Sequence, residues 1–327
     1  MEERRDNKII VILGPTATGK TAVGVKLARK FQGEIISADS RQVYRGMDVG
    51  TGKDKDSYKV IKLKSYKVIP YHLIDVVSPK TEFNVAKYQK LAYAAIEDIL
   101  GREKTPIIVG GTGLYIDAVV EGYELAQVQS SKFKTPQYSS MRGTSARGKQ
   151  KIRKDLNKLS LKQLLARLKK VDLVTYKIID RQNRRRVQRA MEIYYETGRP
   201  KSAGLKKQKP PYQFLKIGIN YQREVLAGRI ERRLKERLEK EGLVAEVKRL
   251  HRQGLSWRRL ESFGLEYAWV SQYLQGKIDY ETMFISLNKA IRDFSKRQMT
   301  WFKRDRAVVW EADYGKIEKR VGNFLKS

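Results

Sequence analysis

Gly14-Pro15-Thr16-Ala17-Thr18-Gly19-Lys20-Thr21 has the residue types and spacing of a phosphate cradle. Glycines at both ends let successive backbone N–H groups wrap an anionic oxygen cluster at the start of a helix. Lys20 adds a point charge, and the Thr21 hydroxyl suits the Mg²⁺ that accompanies a diphosphate or triphosphate. The motif implies a pyrophosphate-type ligand and does not by itself imply ATP hydrolysis. The run Pro106-Ile107-Ile108-Val109 ends in Gly110-Gly111-Thr112-Gly113, where an ATPase would present a metal-orienting carboxylate. Asp39 is the one carboxylate at a strand tip beside the cradle. It could take a proton from a nucleophile poised over the phosphate end of a substrate; a helix cap or an outer ligand of the metal is equally consistent with its place. Thr112 offers a hydroxyl, from what is more often just a tight turn. Arg229 and Arg233, four apart, share a helical face; they suit either a departing anion or a salt-bridged surface. Lys296-Arg297-Gln298 with Trp301-Phe302 interleaves base and aromatic, as phosphate contact plus base stacking requires, or as an aromatic anchor under a solvated face would. His72 and His251 stand alone and are assigned no chemistry.

A scaffold must hold these residues, and its pattern is legible. Ile9 to Leu13 is a β-branched run of the kind buried on both faces, and it leads straight into the cradle and a helix carrying Val23, Leu27, Ala28 and Phe31. Glu34 to Ala38 reads as the next strand, Asn84 to Leu100 as a helix, and Pro106 to Val109 as another buried strand. This alternation predicts an α/β fold: a P-loop-type three-layer core with a parallel sheet, plus a mainly helical insertion domain. Ligands in such sheets sit at the carboxyl ends of the strands, where all three loops lie. Helices are expected over Leu156–Leu168, Leu173–Tyr195, Arg223–Gln253 and Leu287–Phe302, with a loop over Lys201–Pro211. The expected division is 1–122 and 183–327 as the core, and 123–182 as a basic insertion.

Among 327 residues, 69 Lys+Arg face 36 Asp+Glu, for a formal charge of +33, and there is no Cys. The excess is uneven: residues 1–120 carry 20 basic and 14 acidic side chains, residues 121–327 carry 49 and 22. So lopsided a surplus points to a polyanion-binding face, with nucleic acid as the leading partner. The absence of Cys excludes disulfides, thiolate metal sites and Cys nucleophiles, and fits a reducing compartment. The apolar run near the start is far short of the ~18 residues a membrane helix needs. A soluble, cytoplasmic monomer without membrane contact is the expectation.

Further pieces recur in order from residue 9 to about 310: Ile36-Ser-Ala-Asp-Ser-Arg-Gln-Val-Tyr-Arg-Gly-Met47, Val49-Gly-Thr-Gly-Lys53, Tyr71-His-Leu-Ile-Asp75, Gly110-Gly-Thr-Gly-Leu-Tyr115, Arg186-Val-Gln-Arg-Ala-Met-Glu192 and Lys296-Arg-Gln-Met-Thr-Trp-Phe302. With the cradle, they resemble the bacterial tRNA dimethylallyltransferases, the tRNA isopentenyltransferase family. The resemblance implies transfer of a dimethylallyl group from dimethylallyl diphosphate to the exocyclic amine of the adenosine 3′ to the anticodon, with Mg²⁺ as cofactor. It implies that Gly14, Thr16, Ala17, Thr18, Gly19, Lys20 and Thr21 hold the diphosphate, Thr21 also serving the metal, with Arg233 facing it. Asp39 matches the general base, and Asp39, Ser40, Arg41 and Gln42 the contact to the adenine. Thr112, Arg153, Gln188, Arg189, the Glu261–Glu266 turn, Lys296, Arg297 and Gln298 match positions that contact the anticodon stem-loop. The zinc finger of eukaryotic members is excluded by the lack of Cys. Three places depart from the family pattern: Asp180-Arg181-Gln182 stands for His-Pro-Asn, Gly264-Leu265 for Gly-Tyr, and residues 125–150 are basic where the family is acidic. Rival expectations are an isopentenyltransferase acting on free adenosine phosphates, a P-loop nucleotide kinase, and a nucleotide-gated RNA-binding protein without chemistry.

Overall fold

The computed structural model describes residues 7–53, 69–124, 146–205 and 207–327; residues 125–145 of the basic stretch lie outside them. Six strands form one sheet: β1 (Lys8–Leu13), β2 (Gly33–Ser37), β3 (Tyr71–His72), β4 (Thr105–Gly110), β5 (Gln213–Gly218) and β6 (Val309–Trp310). Their order is β3-β2-β4-β1-β5-β6, and every pairing is parallel. In β1, all six residues are buried. Period-two alternation divides them: Ile10 and Ile12 join Ile35, Ile107 and Ile217 on one face, Ile9, Val11 and Leu13 join Ile36 and Ile108 on the other. Helices α1 (Lys20–Lys30) and α13 (Tyr314–Lys326) cover the first face through Leu27, Ala28, Ile317 and Val321. The second is covered by α2 (Val85–Gly101) and α3 (Gly113–Val120), through Tyr88, Ile96, Tyr115 and Val119. The expected three-layer, parallel α/β core is therefore present, with β3, β5 and β6 added beyond the strands expected from the sequence.

The chain divides into two compact units, one of residues 1–120 and 211–327, the other Glu121–Pro210. Residues 183–210 thus lie with the smaller unit and not with the core, a correction to the expected boundary at 182/183. The reason is packing. Helix α7 (Arg184–Thr197) buries Val187, Ala190 and Met191 against Ile152 and Leu156 of α4 (Ala146–Asn157) and Leu164 and Leu168 of α5 (Leu161–Val171). The short α6 (Leu173–Ile178) is the remaining α-helix of this unit among the described residues.

Three helices expected from the sequence are each broken. The run from Leu156 divides after Asn157, the end of α4, and Ser160 starts α5 with a capping box, its hydroxyl accepting from Gln163 N–H while the Gln163 side chain accepts from Ser160 N–H. The run Leu173–Tyr195 divides into α6 and α7, where Ile179 turns extended and the Asn183 side chain caps α7 by accepting from Arg186 N–H. The run from Arg223 divides at Gly242, φ 79°, into α8 (Arg223–Glu239) and α9 (Leu243–Arg252). After α10 (Trp257–Ser262) and α11 (Leu265–Leu274), α12 (Tyr280–Phe302) begins seven residues earlier than Leu287, where the Asp279 side chain caps Thr282 N–H. These helices build a further core from Val43, Met47, Leu243, Val247, Leu260, Tyr267 and Met283.

Candidate active site

Strands β2, β4 and β1 are neighbours, so the loops at their carboxyl ends converge. Hydrogen bonds knit them. Ala38 N–H donates to Val109 O (2.8 Å) and Thr112 N–H to Ala38 O (3.1 Å). The Thr112 hydroxyl accepts from Ser40 N–H at 3.0 Å, and Asp39 Oδ1 accepts from Arg41 N–H at 2.8 Å. The Gln298 side chain, on α12, ties the other two loops: its Oε1 accepts from Thr16 N–H (2.9 Å) and its Nε2 donates to Gly111 O (2.8 Å). Gln298 is buried, whereas Lys296 and Arg297 beside it are exposed. Trp301 is anchored by an Nε1–H bond to Asp117 (2.8 Å), and Phe302 sits in the core.

The cradle itself turns on Gly19, whose φ of 81° is a left-handed conformation that costs a glycine nothing and a side chain much. No side chain caps α1, and its first turn holds no acid, so its N–H groups face outward with the dipole's positive end. The Thr18 hydroxyl donates to Pro15 O at 2.9 Å, and Lys20 Nζ donates to the same carbonyl at 2.5 Å. Arg229 reaches across from α8 to donate from Nε to Ala17 O at 2.8 Å, its guanidinium over the Tyr221 ring. Arg233, one turn further along α8, stands in the same field.

Electrostatics show how closely these groups are gathered. Burial pushes Lys20 down to about 7, Arg233 pushes the same way, and Asp39 opposes. Arg233 is itself lowered to about 10 by burial and by Arg237, against the pull of Glu266, Glu241 and Asp39. Arg41 is also lowered by burial, with Asp39 the leading opposing charge. Three half-buried cations, Lys20, Arg41 and Arg233, thus each feel one half-buried carboxylate, Asp39, beyond the end of β2. Beneath it, Tyr88 and Tyr115 stack at 4.1 Å, and burial raises both phenols. Gln42 is fixed from two sides: Oε1 accepts from the Ser37 hydroxyl at 2.8 Å, while Nε2 donates to Thr51 O (3.4 Å) and Gly52 O (3.3 Å). As a donor set for a metal, Thr21 stands without a carboxylate cluster: among the described residues no group of three His, Cys, Asp or Glu could hold an ion.

Arg153, Gln188 and Arg189 belong to the smaller unit and meet at one buried carboxylate. Glu192 is 3.5 Å from Arg153, 3.0 Å from Arg189 and 3.4 Å from the Gln188 amide, which also donates to Asn157 at 2.8 Å. The two guanidiniums stay half-exposed around it.

Comparison with known proteins gives the family. The family model described as IPP transferase matches residues 42–305, and that described as isopentenyl transferase matches residues 7–68. A tRNA dimethylallyltransferase of Syntrophus aciditrophicus is 42% identical over 98% of this chain and 99% of its own. The chain belongs to the IPP transferase family. Another relative, a tRNA dimethylallyltransferase of Citrifermentans bemidjiense, is 44% identical over 90% of this chain and 86% of its own. The crystal structure of the full-length tRNA isopentenylpyrophosphate transferase of Bacillus halodurans superimposes with a TM-score of 0.67 at 32% identity, covering 98% of this chain and 97% of that one. A eukaryotic dimethylallyltransferase acting on tRNA gives 0.67 at 26% identity, covering 90% and 69%.

In this IPP transferase, several residues at the site have a role that sequence reasoning does not assign. Lys53 Nζ is buried, bonded to Tyr44 O (2.6 Å), Asp48 (3.0 Å) and Asp75 (2.6 Å), which joins the Val49–Lys53 and Tyr71–Asp75 motifs into one unit. Glu246 and Arg237, from α9 and α8, are buried beside that loop. In the sequence both look like members of a solvated charged helix. Only their burial tells them apart.

Proposed function

We propose that the protein is a tRNA dimethylallyltransferase: it moves a dimethylallyl group from dimethylallyl diphosphate to the exocyclic amine of the adenosine 3′ to the anticodon. The observation that carries this reading is the gathering of Lys20, Arg41 and Arg233 around Asp39 at the ends of β1 and β2, with the relatives' named activity in support. Breaking the allylic C–O bond leaves its electron pair on the departing diphosphate. The N–H groups from Ala17 to Thr21, Lys20 and Arg233 are the preorganised positive charge that stabilises it. The amine nitrogen forms the new C–N bond and loses a proton, which the Asp39 carboxylate accepts. Ser40, Arg41 and Gln42 hold the everted base, and Thr112 sets the backbone of that turn. A base in a single-stranded loop is the cheap one to evert.

Mg²⁺ fits a site of this kind, because it keeps several waters and takes one or two protein oxygens plus substrate phosphate oxygens. Thr21 would hold it, and the ion would there supply positive charge to offset that of the leaving diphosphate. Arg153, Gln188, Arg189, Lys296 and Arg297 serve the RNA backbone. Gln298 acts by holding the cradle against Gly111. No described helix is long and apolar enough to cross a membrane, in keeping with a cytoplasmic enzyme on a soluble RNA.

Incubation with dimethylallyl diphosphate and, separately, tRNA, AMP and ATP tests the assignment. Prenylated adenosine in tRNA alone is the expected result. Prenyl transfer to AMP, or ATP turnover without prenyl transfer, would overturn it.

A further inference from the structure

The loop Asp48–Lys53 is fixed by a carboxylate nearly two hundred residues away in the chain. Glu246 Oε2 accepts from Asp48 N–H (2.7 Å) and Val49 N–H (2.8 Å); its Oε1 accepts from Gly50 N–H (3.0 Å) and the Tyr267 hydroxyl (2.7 Å). Four donors on one buried side chain make a strong, directional clasp. What the clasp presses into place is Gly52. A Cβ there would overlap the guanidinium groups of both Arg233 and Arg237, so both converge on that backbone. Arg237 is 5% exposed, and its Nη1 is taken by Glu266 at 3.0 Å. Its Nη2 is buried without a hydrogen-bond partner among the described residues. Two like charges side by side, one with an unspent donor, want an anion. On the other side of the same loop, the carbonyls of Thr51 and Gly52 receive the Gln42 amide.

We propose that Glu246 is a positioning residue for group transfer: by gathering the N–H groups of residues 48–50 it holds Gly52 against Arg233 and Arg237, and so aims this arginine pair at the donor's diphosphate. This rests on the reading that Arg233 faces the diphosphate. Arg237 becomes a second binding group for the same anion. Glu246→Gln replaces one accepting oxygen by a donor and leaves two of the four donors without an acceptor. Gly52→Ala disturbs the same contact from the opposite side.

Steady-state transfer kinetics with dimethylallyl diphosphate and an anticodon stem-loop, run beside thermal melting, test the idea. Both variants should raise the donor KM by about tenfold or more, the scale of one misplaced charge-assisted bond. The KM for RNA should hold, because Ser37 still grips Gln42. The double variant should be no worse than the worse single one within about twofold, since both act through one contact. An unchanged donor KM in folded E246Q, or additive losses in the double variant, overturns the proposal. If E246Q does not fold, G52A decides, with unchanged donor KM again overturning it. Arg233→Lys separates the two levels. A raised donor KM there with E246Q unaffected sinks this inference alone, while an unchanged one sinks the diphosphate reading and this one with it.

Discussion

Lys20 links pH, donor binding and stability in one measurable residue. Burial and Arg233 bring it from 10.5 to about 7 against the pull of Asp39. Above that pH the unliganded protein holds it increasingly neutral, whereas a bound diphosphate adds nearby negative charge and restores the proton. Donor binding must then take up a proton. Affinity for dimethylallyl diphosphate should fall about tenfold per pH unit above 7, until the liganded group itself titrates. Between about pH 7.5 and 9.5, where the diphosphate is already ionised, Kd should rise roughly a hundredfold. Isothermal titration in two buffers of different ionisation heat reads the proton directly. Uptake should approach one per donor near the upper end of that range, and Lys20→Met should bind more weakly with a flat profile. The sign for folding follows from the same shift. A cation disfavoured in the fold is a penalty fully present below the folded value near 7 and relieved as pH climbs toward 10.5. At low pH that penalty is on the order of 5 kcal/mol as an upper limit, since the side chain keeps some solvent and its bond to Pro15. Lys20→Met should therefore raise Tm at about pH 6, with the gain shrinking toward pH 10. A pH-independent wild-type Kd, or a variant destabilised at low pH, would refute the argument.

Gln298→Ala should cost about 2–4 kcal/mol in denaturant unfolding, because Thr16 N–H and Gly111 O both lose a buried partner. It should also raise the donor KM, and an unchanged midpoint would mean the two loops hold without it. Arg189→Gln should lower the slope of log affinity against log salt for the stem-loop by about 0.7–0.9, the signature of one lost phosphate contact. An unchanged slope would confine Arg189 to its pairing with Glu192. Chelation with EDTA should stop transfer and Mg²⁺ should restore it, with Thr21→Ala needing a higher metal concentration; activity indifferent to chelation would remove the metal from the account.

The core was legible because its signals are short-range. Ile9 to Leu13, the cradle and the Gly110–Gly113 turn each announce themselves within a few residues, and parallel strands put all their loops at one end. Asp39 could be singled out for the same reason. What escaped the sequence depends on long-range packing. In β5, Lys216 interrupts Phe214, Leu215 and Ile217, so no continuous apolar run marks the strand beside β1, and it is visible only through its pairing. Glu246 and Arg237 are polar residues on polar helices, and nothing local separates a buried clasp from a solvated face; Gln298 stands out in the sequence as an RNA contact, but its bonds to Thr16 and Gly111 were not legible. Helix breaks at Ser160 and Gly242 were hidden by charged, helix-favouring neighbours on both sides. Read from the sequence, the boundary falls at 182/183; in the molecule it lies at 210/211, because Val187 and Met191 are buried within the smaller unit.

The most direct test is single-turnover transfer by Asp39→Asn with saturating donor and anticodon stem-loop, alongside the stem-loop's Kd. Asparagine keeps the shape and the acceptor for Arg41 N–H but cannot take the amine's proton. The rate should fall by about 10²–10⁴-fold while RNA affinity stays within a small factor of wild type. A near-normal rate, or a loss that vanishes once RNA binding is saturated, would contradict proton removal by Asp39.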